Sequence, residues 1–130
     1  MPISGDVLLD TSVIIPYFRG EANLRQSFKS AALFLPLIVL GELYCGANLA
    51  TNPHKQLELI HSFLPAVTVK SPGTGTAEHY GRIRAILSKA GTPIPENDIW
   101  ISALAMEHRM ALATRDTHFN QIKDLQILNW

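Results

Sequence analysis

The 130-residue chain lacks the features that would tie its fold to disulfides or to a membrane. Its one cysteine, Cys45, cannot form an intramolecular disulfide, which suits a reducing compartment. No run of apolar residues approaches the ~20 needed to cross a bilayer. The first residues lack the charged start and the apolar core of a signal peptide. We therefore expect a cytoplasmic protein with no membrane span.

The sequence also has no excess of basic residues. Eleven Lys and Arg balance eleven Asp and Glu, so the formal net charge is zero. Proteins that bind nucleic acid usually carry a basic excess, and composition alone therefore argues mildly against a nuclease. Charged residues make up only 17% of the chain, whereas hydrophobic residues make up 47%. At this length, such a composition predicts a single domain over residues 1–130 with an ample core.

Short apolar runs alternate along the chain with segments of helical spacing. We expect five strands, at residues 7–9, 32–37, 66–69, 111–113 and 125–128. Helices are predicted at residues 13–18, 21–30, 38–49, 53–64, 76–90 and 95–109. Pro16 is expected in the first turn of its helix, and Gly91 is expected to end another helix as a C-cap. The alternation predicts an α/β fold with a short, mainly parallel sheet of four to five strands, covered by helices on both faces.

Four acidic residues follow predicted strands or begin helices that follow them. Asp10 comes directly after the first strand, and Asp116 lies just past the fourth. Glu42 lies about one turn into a helix, and Asp98 lies in the first turn of another. Parallel strands end at one edge of their sheet, and folds of this class place their sites there. We therefore expect the four carboxylates to converge at that edge.

Converging carboxylates need a counter-charge. Two like charges ~5 Å apart repel by roughly 3 kcal/mol at an effective dielectric constant of ~20. Either some carboxyl groups retain protons, or a cation resides among them. Hard oxygen ligands favour magnesium, manganese or calcium, and the histidines and the cysteine fall in no zinc-binding pattern. The sequence thus predicts a site for Mg²⁺ or Mn²⁺.

Each acid also has an ordinary structural role that competes with metal binding. Asp10 and Asp116 each precede a predicted helix or turn that their side chains can cap. Asp98 complements the positive N-terminus of its helix, and Glu42 can lie on a solvent-facing helix surface. We interpret His118, two residues after Asp116, as a surface residue near the site that does not act as a general base.

Four sequence blocks, taken together, resemble the successive motifs of the PIN domain, in particular those of VapC-type toxins from toxin–antitoxin pairs. The blocks are DTSVII (residues 10–15), ELYCG (42–46), PENDIWISA (95–103) and TRDTHF (114–119). Any one of these blocks is common among unrelated proteins. All four in this order over nearly the whole chain indicate a resemblance to the family rather than chance. The chain has Ser102 where the family commonly has alanine, a departure that touches no acid.

The resemblance implies a three-layer α/β/α sandwich and a metal-dependent endoribonuclease, the toxin of a type II toxin–antitoxin system. Such an enzyme hydrolyses RNA phosphodiester bonds with water activated by Mg²⁺ or Mn²⁺. By the same resemblance, Asp10 and Asp98 are the principal metal ligands, and Glu42 and Asp116 complete the acidic cluster. The supporting hydroxyl groups that it implies are those of Thr11, Ser12 and Thr114.

The resemblance also implies three partners: an RNA substrate, a cognate antitoxin that blocks the acidic pocket, and a second copy of the chain in a homodimer. Arg115, adjacent to Asp116, is the candidate for contact with RNA phosphates. Apolar residues at 13–18 and 57–64 could form a groove for a partner helix, although ordinary core packing accounts for most of them.

Three alternative functions fit parts of the pattern. A haloacid-dehalogenase-like phosphatase needs a second aspartate two residues after the first, where this chain has Ser12. A receiver-type signalling domain needs an aspartate after the third strand, where Lys70 and Ser71 stand. A catalytically silent PIN-fold interaction module is the remaining alternative, because a sequence displays ligands and not turnover.

Overall fold

The computed structural model describes residues 5–130, in which one parallel sheet runs through the molecule. Its strands are β1 (Asp6–Leu9), β2 (Ala32–Pro36), β3 (Thr68–Lys70), β4 (Ala111–Ala113) and β5 (Ile127–Leu128). The order across the sheet is β3-β2-β1-β4-β5, and every neighbouring pair is parallel. The predicted α/β fold with a short parallel sheet is confirmed. The absence of a signal-peptide start was predicted partly from residues 1–4, which lie outside the described range.

Helices connect the strands and flank the sheet. They are α1 (Thr11–Phe18), α2 (Ala22–Lys29), α3 (Leu37–Leu49), α4 (Pro53–Phe63), α5 (Thr74–Ala90) and α6 (Glu96–His108). Leu8 and Leu9 of β1 are both fully buried, and successive strand residues point to opposite faces of a sheet. Both faces of the central strand are therefore covered. Within residues 5–130, none of the helices combines the length and the apolarity that crossing a bilayer requires.

Helix α1 begins earlier than the sequence pattern indicated. The Asp10 carboxylate accepts a hydrogen bond from the Ser12 backbone N–H at 3.4 Å and caps the helix, which starts at Thr11 and not at residue 13. Pro16 consequently lies inside the helix, past its first turn, and the predicted placement of this proline was wrong. Because proline has no N–H, one hydrogen bond of the helix is lost there. The capping carboxylate thus fixes where the helix starts.

The other predicted elements begin and end within two residues of the observed ones. Gly91 ends α5 in the left-handed conformation, with φ of 69°, and its N–H donates to the carbonyl oxygens of Leu87 and Ser88, as a glycine C-cap does. The chain before β3 differs from the prediction, because Leu64–Ala66 form a 3₁₀ turn and the strand starts only at Thr68.

Helix α6 brings its first turn to the edge of the sheet where the strands end. It is the most deeply buried helix, with an unbroken run from residue 101 to residue 105 below 1% exposure. The chain passes from its end at His108 almost directly into β4, so α6 runs back along the sheet in the direction opposite to β4. Its N-terminus, which carries Asp98, therefore lies at the same edge as the ends of β1 and β4.

Candidate active site

Asp10 is a buried carboxylate at the end of the central strand, with 5% of its surface exposed. Its backbone N–H donates to the Ala113 carbonyl of the neighbouring strand at 3.1 Å, which holds it beside the end of β4. Its Oδ2 accepts hydrogen bonds from the hydroxyls of Ser12 at 2.7 Å and Thr114 at 2.9 Å. The Thr114 hydroxyl also accepts the Asp116 backbone N–H at 3.0 Å. One hydroxyl therefore links the Asp10 carboxylate to the turn that carries Asp116.

Asp98 and Asp116 meet at the imidazole of His118. The His118 Nδ1 lies 3.2 Å from Asp98 Oδ2 and 3.1 Å from Asp116 Oδ1. Among residues 5–130, these three side chains form the one set of three potential metal ligands whose donor atoms all lie within 4.8 Å of one another. Asp98 is buried, Asp116 is half-buried and His118 is exposed, so the cluster opens from the sheet edge to solvent.

The environment of Asp98 disfavours its charge. Burial, followed by the negative charges of Asp116 and Asp10, raises the pKa of Asp98 from 3.8 to about 6. The hydrogen bond and the charge of His118 act in the opposite direction but are outweighed. Asp98 is therefore close enough to both Asp116 and Asp10 for their charges to act on it. A nearby cation would relieve this repulsion.

Glu42 stands apart from the other three acids. Its Oε1 accepts a hydrogen bond from the Thr11 hydroxyl at 2.9 Å, and Thr11 directly follows Asp10. In the described part of the chain, neither Glu42 nor Asp10 contributes an atom to the ligand set of Asp98, Asp116 and His118, but the charge of Asp10 is among those that raise the pKa of Asp98. The structure thus connects Glu42 to the Asp10 side of the site through one intervening side chain.

The side chain of Arg115 is engaged by two groups outside the acidic cluster. Its Nη1 forms an ion pair with Glu21 Oε2 at 3.0 Å, and its Nε donates to the Trp130 carbonyl oxygen at 2.8 Å. Its backbone N–H donates to the Ser12 hydroxyl at 2.9 Å. The main chain of Arg115 therefore supports the Asp10 network, while its side chain fastens the start of α2 to the end of the described chain. A role of Arg115 in RNA binding stays a prediction.

The family model described as "PIN domain" matches residues 7–125, a span that contains all four acids. The chain belongs to the PIN domain family. The order β3-β2-β1-β4-β5 and the acids at the ends of β1 and β4 are thus features of a PIN domain in this chain.

Relatives of this PIN domain carry the name VapC. The chain is 31% identical over 127 residues to Ribonuclease VapC2 of Haemophilus influenzae, a match that covers 95% of this chain and 96% of the relative. It is 27% identical over 127 residues to the tRNA(fMet)-specific endonuclease VapC of Shigella flexneri, again with 95% and 96% covered. The structure of VapBC-1 from nontypeable Haemophilus influenzae superposes with a TM-score of 0.88 at 28% identity, covering 96% of this chain and 98% of the other.

A groove of about 520 Å³ adjoins the acids of this PIN domain on the Glu42 side. Glu42 and Thr11 stand at its lining, and the exposed cations Arg19 and Lys55 line it as well. Its apolar lining comes from α1, α3 and α4: Ile15, Phe18, Leu43, Ala47, Leu59 and Ile60. Some apolar residues of α1 and α4 thus line this groove, whereas Val13 and Ile14 are fully buried in the core. The sequence allowed for both a groove and ordinary core packing.

We expect Asp98→Asn to stabilise the metal-free protein at neutral pH. A carboxyl group whose pKa is higher in the folded state contributes stability below about pH 4, and that contribution is lost as the pH rises through about 6. At about pH 7.5 the charged Asp98 therefore costs stability, with an upper limit of roughly 3 kcal/mol from the pKa shift. Asparagine removes the charge, and we expect a gain of about 1–2 kcal/mol, or about 3–6 °C in Tm.

Thermal denaturation followed by circular dichroism in a chelating buffer measures this gain. Its pH dependence identifies the cause, because the advantage of the variant should shrink as the pH falls towards about 4.5. Glu78→Gln is a suitable control, since it removes one charge from an exposed residue of α5. If Asp98→Asn melts below the wild type at neutral pH, the raised pKa that burial and the neighbouring aspartates give Asp98 would be contradicted.

Sequence reasoning placed His118 near the site but gave it no function. The available signal was its position two residues after Asp116, at the start of a turn that Asp116 caps. The His118 backbone N–H donates to Asp116 Oδ1 at 2.9 Å, and this turn brings the imidazole back over the carboxylates. Contact with Asp98, twenty residues earlier in the chain, depends on how α6 packs against β4, which the sequence pattern does not specify.

Proposed function

We propose that this chain is a metal-dependent endoribonuclease of the VapC type, the toxin of a type II toxin–antitoxin pair, that acts in the cytoplasm as a single PIN domain over residues 1–130. The observation that carries the proposal is the meeting of Asp98 and Asp116 beside Asp10, where burial, together with the negative charges of Asp116 and Asp10, raises the pKa of Asp98 to about 6. A site that places uncompensated carboxylates together at a sheet edge is organised for a cation.

The donor chemistry fits Mg²⁺ or Mn²⁺. Asp98 and Asp116 offer hard carboxylate oxygens, the ligands that both ions accept. Within residues 5–130, the hydrogen bonds to the Asp10 carboxylate all fall on Oδ2, so Oδ1 stays available for an ion. Asp10, Asp98 and Asp116 would hold the ion, and Glu42 would complete the site from the Thr11 side.

The ion, when bound, supplies a Lewis acid that lowers the pKa of water and offsets negative charge on phosphate oxygens. The protein positions the carboxylates that hold it. The hydroxyls of Ser12 and Thr114 fix the Asp10 carboxylate by donating to the same oxygen. The Thr114 hydroxyl also accepts the backbone N–H of Asp116 and so orients that residue. A carboxylate held by two hydroxyls loses little conformational freedom when an ion binds, so these residues act as positioning groups.

The similarity to the VapC ribonucleases supports RNA as the substrate of this chain. The neutral net charge does not exclude it, because the four acids of the site leave the rest of the surface net positive by the same amount. Arg115 is proposed to contact the RNA near the cleaved bond, in addition to its ion pair with Glu21. The homodimer stays a prediction of the family resemblance.

An antitoxin is the partner proposed for the groove beside Glu42. The groove has an apolar floor, and an amphipathic helix buries its apolar face in such a groove. Because Glu42 and Thr11 line the groove, a partner seated there would reach the acids of the site. Occupation of the groove would thereby block access of RNA.

Purified protein on a panel of structured RNAs that includes tRNA tests the activity. We expect cleavage with Mg²⁺ or Mn²⁺, loss of cleavage to background in a chelator, and recovery when excess metal is restored, because the site carboxylates cannot act without a cation. Gel analysis of end-labelled RNA measures the rate and distinguishes internal cleavage from removal of terminal nucleotides.

Ca²⁺ in place of Mg²⁺ controls for nonspecific effects of divalent ions on RNA structure. Cleavage that persists in the chelator would refute metal dependence. If no RNA is cut under any metal condition while the protein is folded, the chain is the catalytically silent interaction module, and the proposed enzymatic function is wrong.

A further inference from the structure

His118 is placed as a potential ligand of the same ion and not merely as a neighbour of the site. Its Nδ1 is the ring nitrogen that faces both carboxylates, at 3.2 Å from Asp98 Oδ2 and 3.1 Å from Asp116 Oδ1. Among the His, Cys, Asp and Glu side chains of residues 5–130, this imidazole is the one that completes, with these two oxygens, a set of three donor atoms within 4.8 Å of one another. The proposed function assigns the site to oxygen ligands alone, so the imidazole is unexplained by it.

The turn that carries His118 is fixed on both sides. Asp116 caps the 3₁₀ turn Thr117–Gln121, and its Oδ1 accepts the His118 backbone N–H at 2.9 Å. The next residue, Phe119, is fully buried and anchors the turn in the core. The imidazole side chain itself is half exposed, so it can adjust to an ion while its backbone stays in place. The fixed backbone therefore keeps the imidazole beside the two carboxylates, where it could reach an ion that they hold.

We propose, on the basis of the function proposed above, that His118 Nδ1 is a ligand of the ion held by Asp98 and Asp116, and that it makes the site prefer a first-row transition ion such as Mn²⁺ to Mg²⁺. Mg²⁺ binds oxygen ligands in near-ideal octahedral geometry and dehydrates reluctantly. Transition ions accept imidazole as well as carboxylate. A ligand set that adds one imidazole to the carboxylates therefore discriminates between the two ions, whereas a set of carboxylates alone does so only weakly.

The contacts of His118 have a second explanation that predicts the opposite result. An imidazolium could offset the charges of Asp98 and Asp116 and compete with a metal ion for them. Removal of the imidazole would then increase the affinity for both Mn²⁺ and Mg²⁺. If His118 is a ligand, its removal decreases the affinity for Mn²⁺ and leaves that for Mg²⁺ nearly unchanged.

Isothermal titration of the full chain with Mn²⁺ and with Mg²⁺ separates these cases. For His118→Ala we expect a loss of Mn²⁺ affinity of about tenfold or more, and a change in Mg²⁺ affinity of less than about threefold. The substitution leaves the His118 backbone N–H in place, so the cap at Asp116 is kept. His54→Ala, at an exposed position on α4, is the matched control and should bind both ions as the wild type does. Circular dichroism verifies that each variant is folded.

Pulsed electron paramagnetic resonance of bound Mn²⁺ supplies a readout that does not depend on activity. We expect nitrogen hyperfine coupling in the wild type and in His54→Ala, and its loss in His118→Ala. Mn²⁺ that binds without nitrogen coupling, or a His118→Ala variant that binds both ions more tightly, would overturn the role of His118 while leaving the metal-dependent nuclease intact. A wild-type protein that binds neither ion would overturn both proposals together.

Discussion

Asp10→Asn is expected to reduce RNA cleavage by at least about 100-fold, equivalent to roughly 3 kcal/mol of transition-state stabilisation. The variant keeps the size of the side chain and removes the charge that an ion would need at the end of β1. The carboxamide oxygen of the introduced asparagine can still accept from the hydroxyls of Ser12 and Thr114, and asparagine caps a helix as well as aspartate does. We therefore expect loss of activity without loss of fold. Initial cleavage rates at saturating metal measure the effect.

Asp6→Asn is the matched control, because it makes the same change at the other end of the same strand. Its cleavage rate should equal that of the wild type. Equal cleavage by Asp10→Asn and the wild type would show that the activity comes from a contaminating nuclease. If excess metal fully restores the cleavage rate of Asp10→Asn, Asp10 contributes only to the affinity for the metal. If the rate stays low at saturating metal, Asp10 also contributes to the chemical step.

Phe119→Ala is expected to produce the largest loss of stability among the single substitutions considered. Phe119 is fully buried, and removal of a buried phenylalanine side chain typically costs about 3–5 kcal/mol through lost burial and the cavity left behind. Domains of this kind are stable by only about 5–15 kcal/mol. We therefore expect the Tm to fall by roughly 10–20 °C. Chemical denaturation with parallel thermal melts measures the loss.

Phe34→Ala controls for the loss of a phenylalanine as such. Phe34 lies on β2, is only partly buried, and has the Lys70 ammonium 5.8 Å from its ring centre. We expect it to lose less than half as much stability as Phe119→Ala, because part of its ring already faces solvent. Equal losses in the two variants would contradict the view that Phe119 anchors the turn that carries Asp116 and His118.

The stability gain expected for Asp98→Asn and the activity loss expected for Asp10→Asn have a common origin. Asp98 is held in a buried place beside Asp116 and Asp10, where first burial and then the neighbouring negative charges raise its pKa and make its ionised form costly. Metal binding offsets this cost, because a ligand that binds only the folded state stabilises that state more as the ligand concentration rises above its Kd. Substitutions that relax the site should therefore stabilise the protein without metal and inactivate it with metal.

The sequence by itself determined the order of the elements and the positions of the acids along it. The apolar run that ends at Asp10 predicted strand β1, and the helical spacing after it predicted helix α1 although not its first residue, because strand and helix periodicity are local properties of the chain. Gly91 predicted the end of α5 for a local reason as well, because the left-handed conformation that commonly ends a helix favours glycine. The sequence motifs also gave the PIN family, which the comparison confirmed.

Only the tertiary structure decided which side chains touch. The hydrogen bond between Thr114 and Asp10 joins residues 104 positions apart, and it depends on the parallel register of β1 with β4. The packing of α6 against that strand then sets Asp98 against Asp116 and His118, while Glu42 contacts Thr11 and stands one side chain away. Contacts of this range depend on strand register, helix packing and side-chain rotamers, which are fixed by the whole core and not by the spacing of residues along the chain.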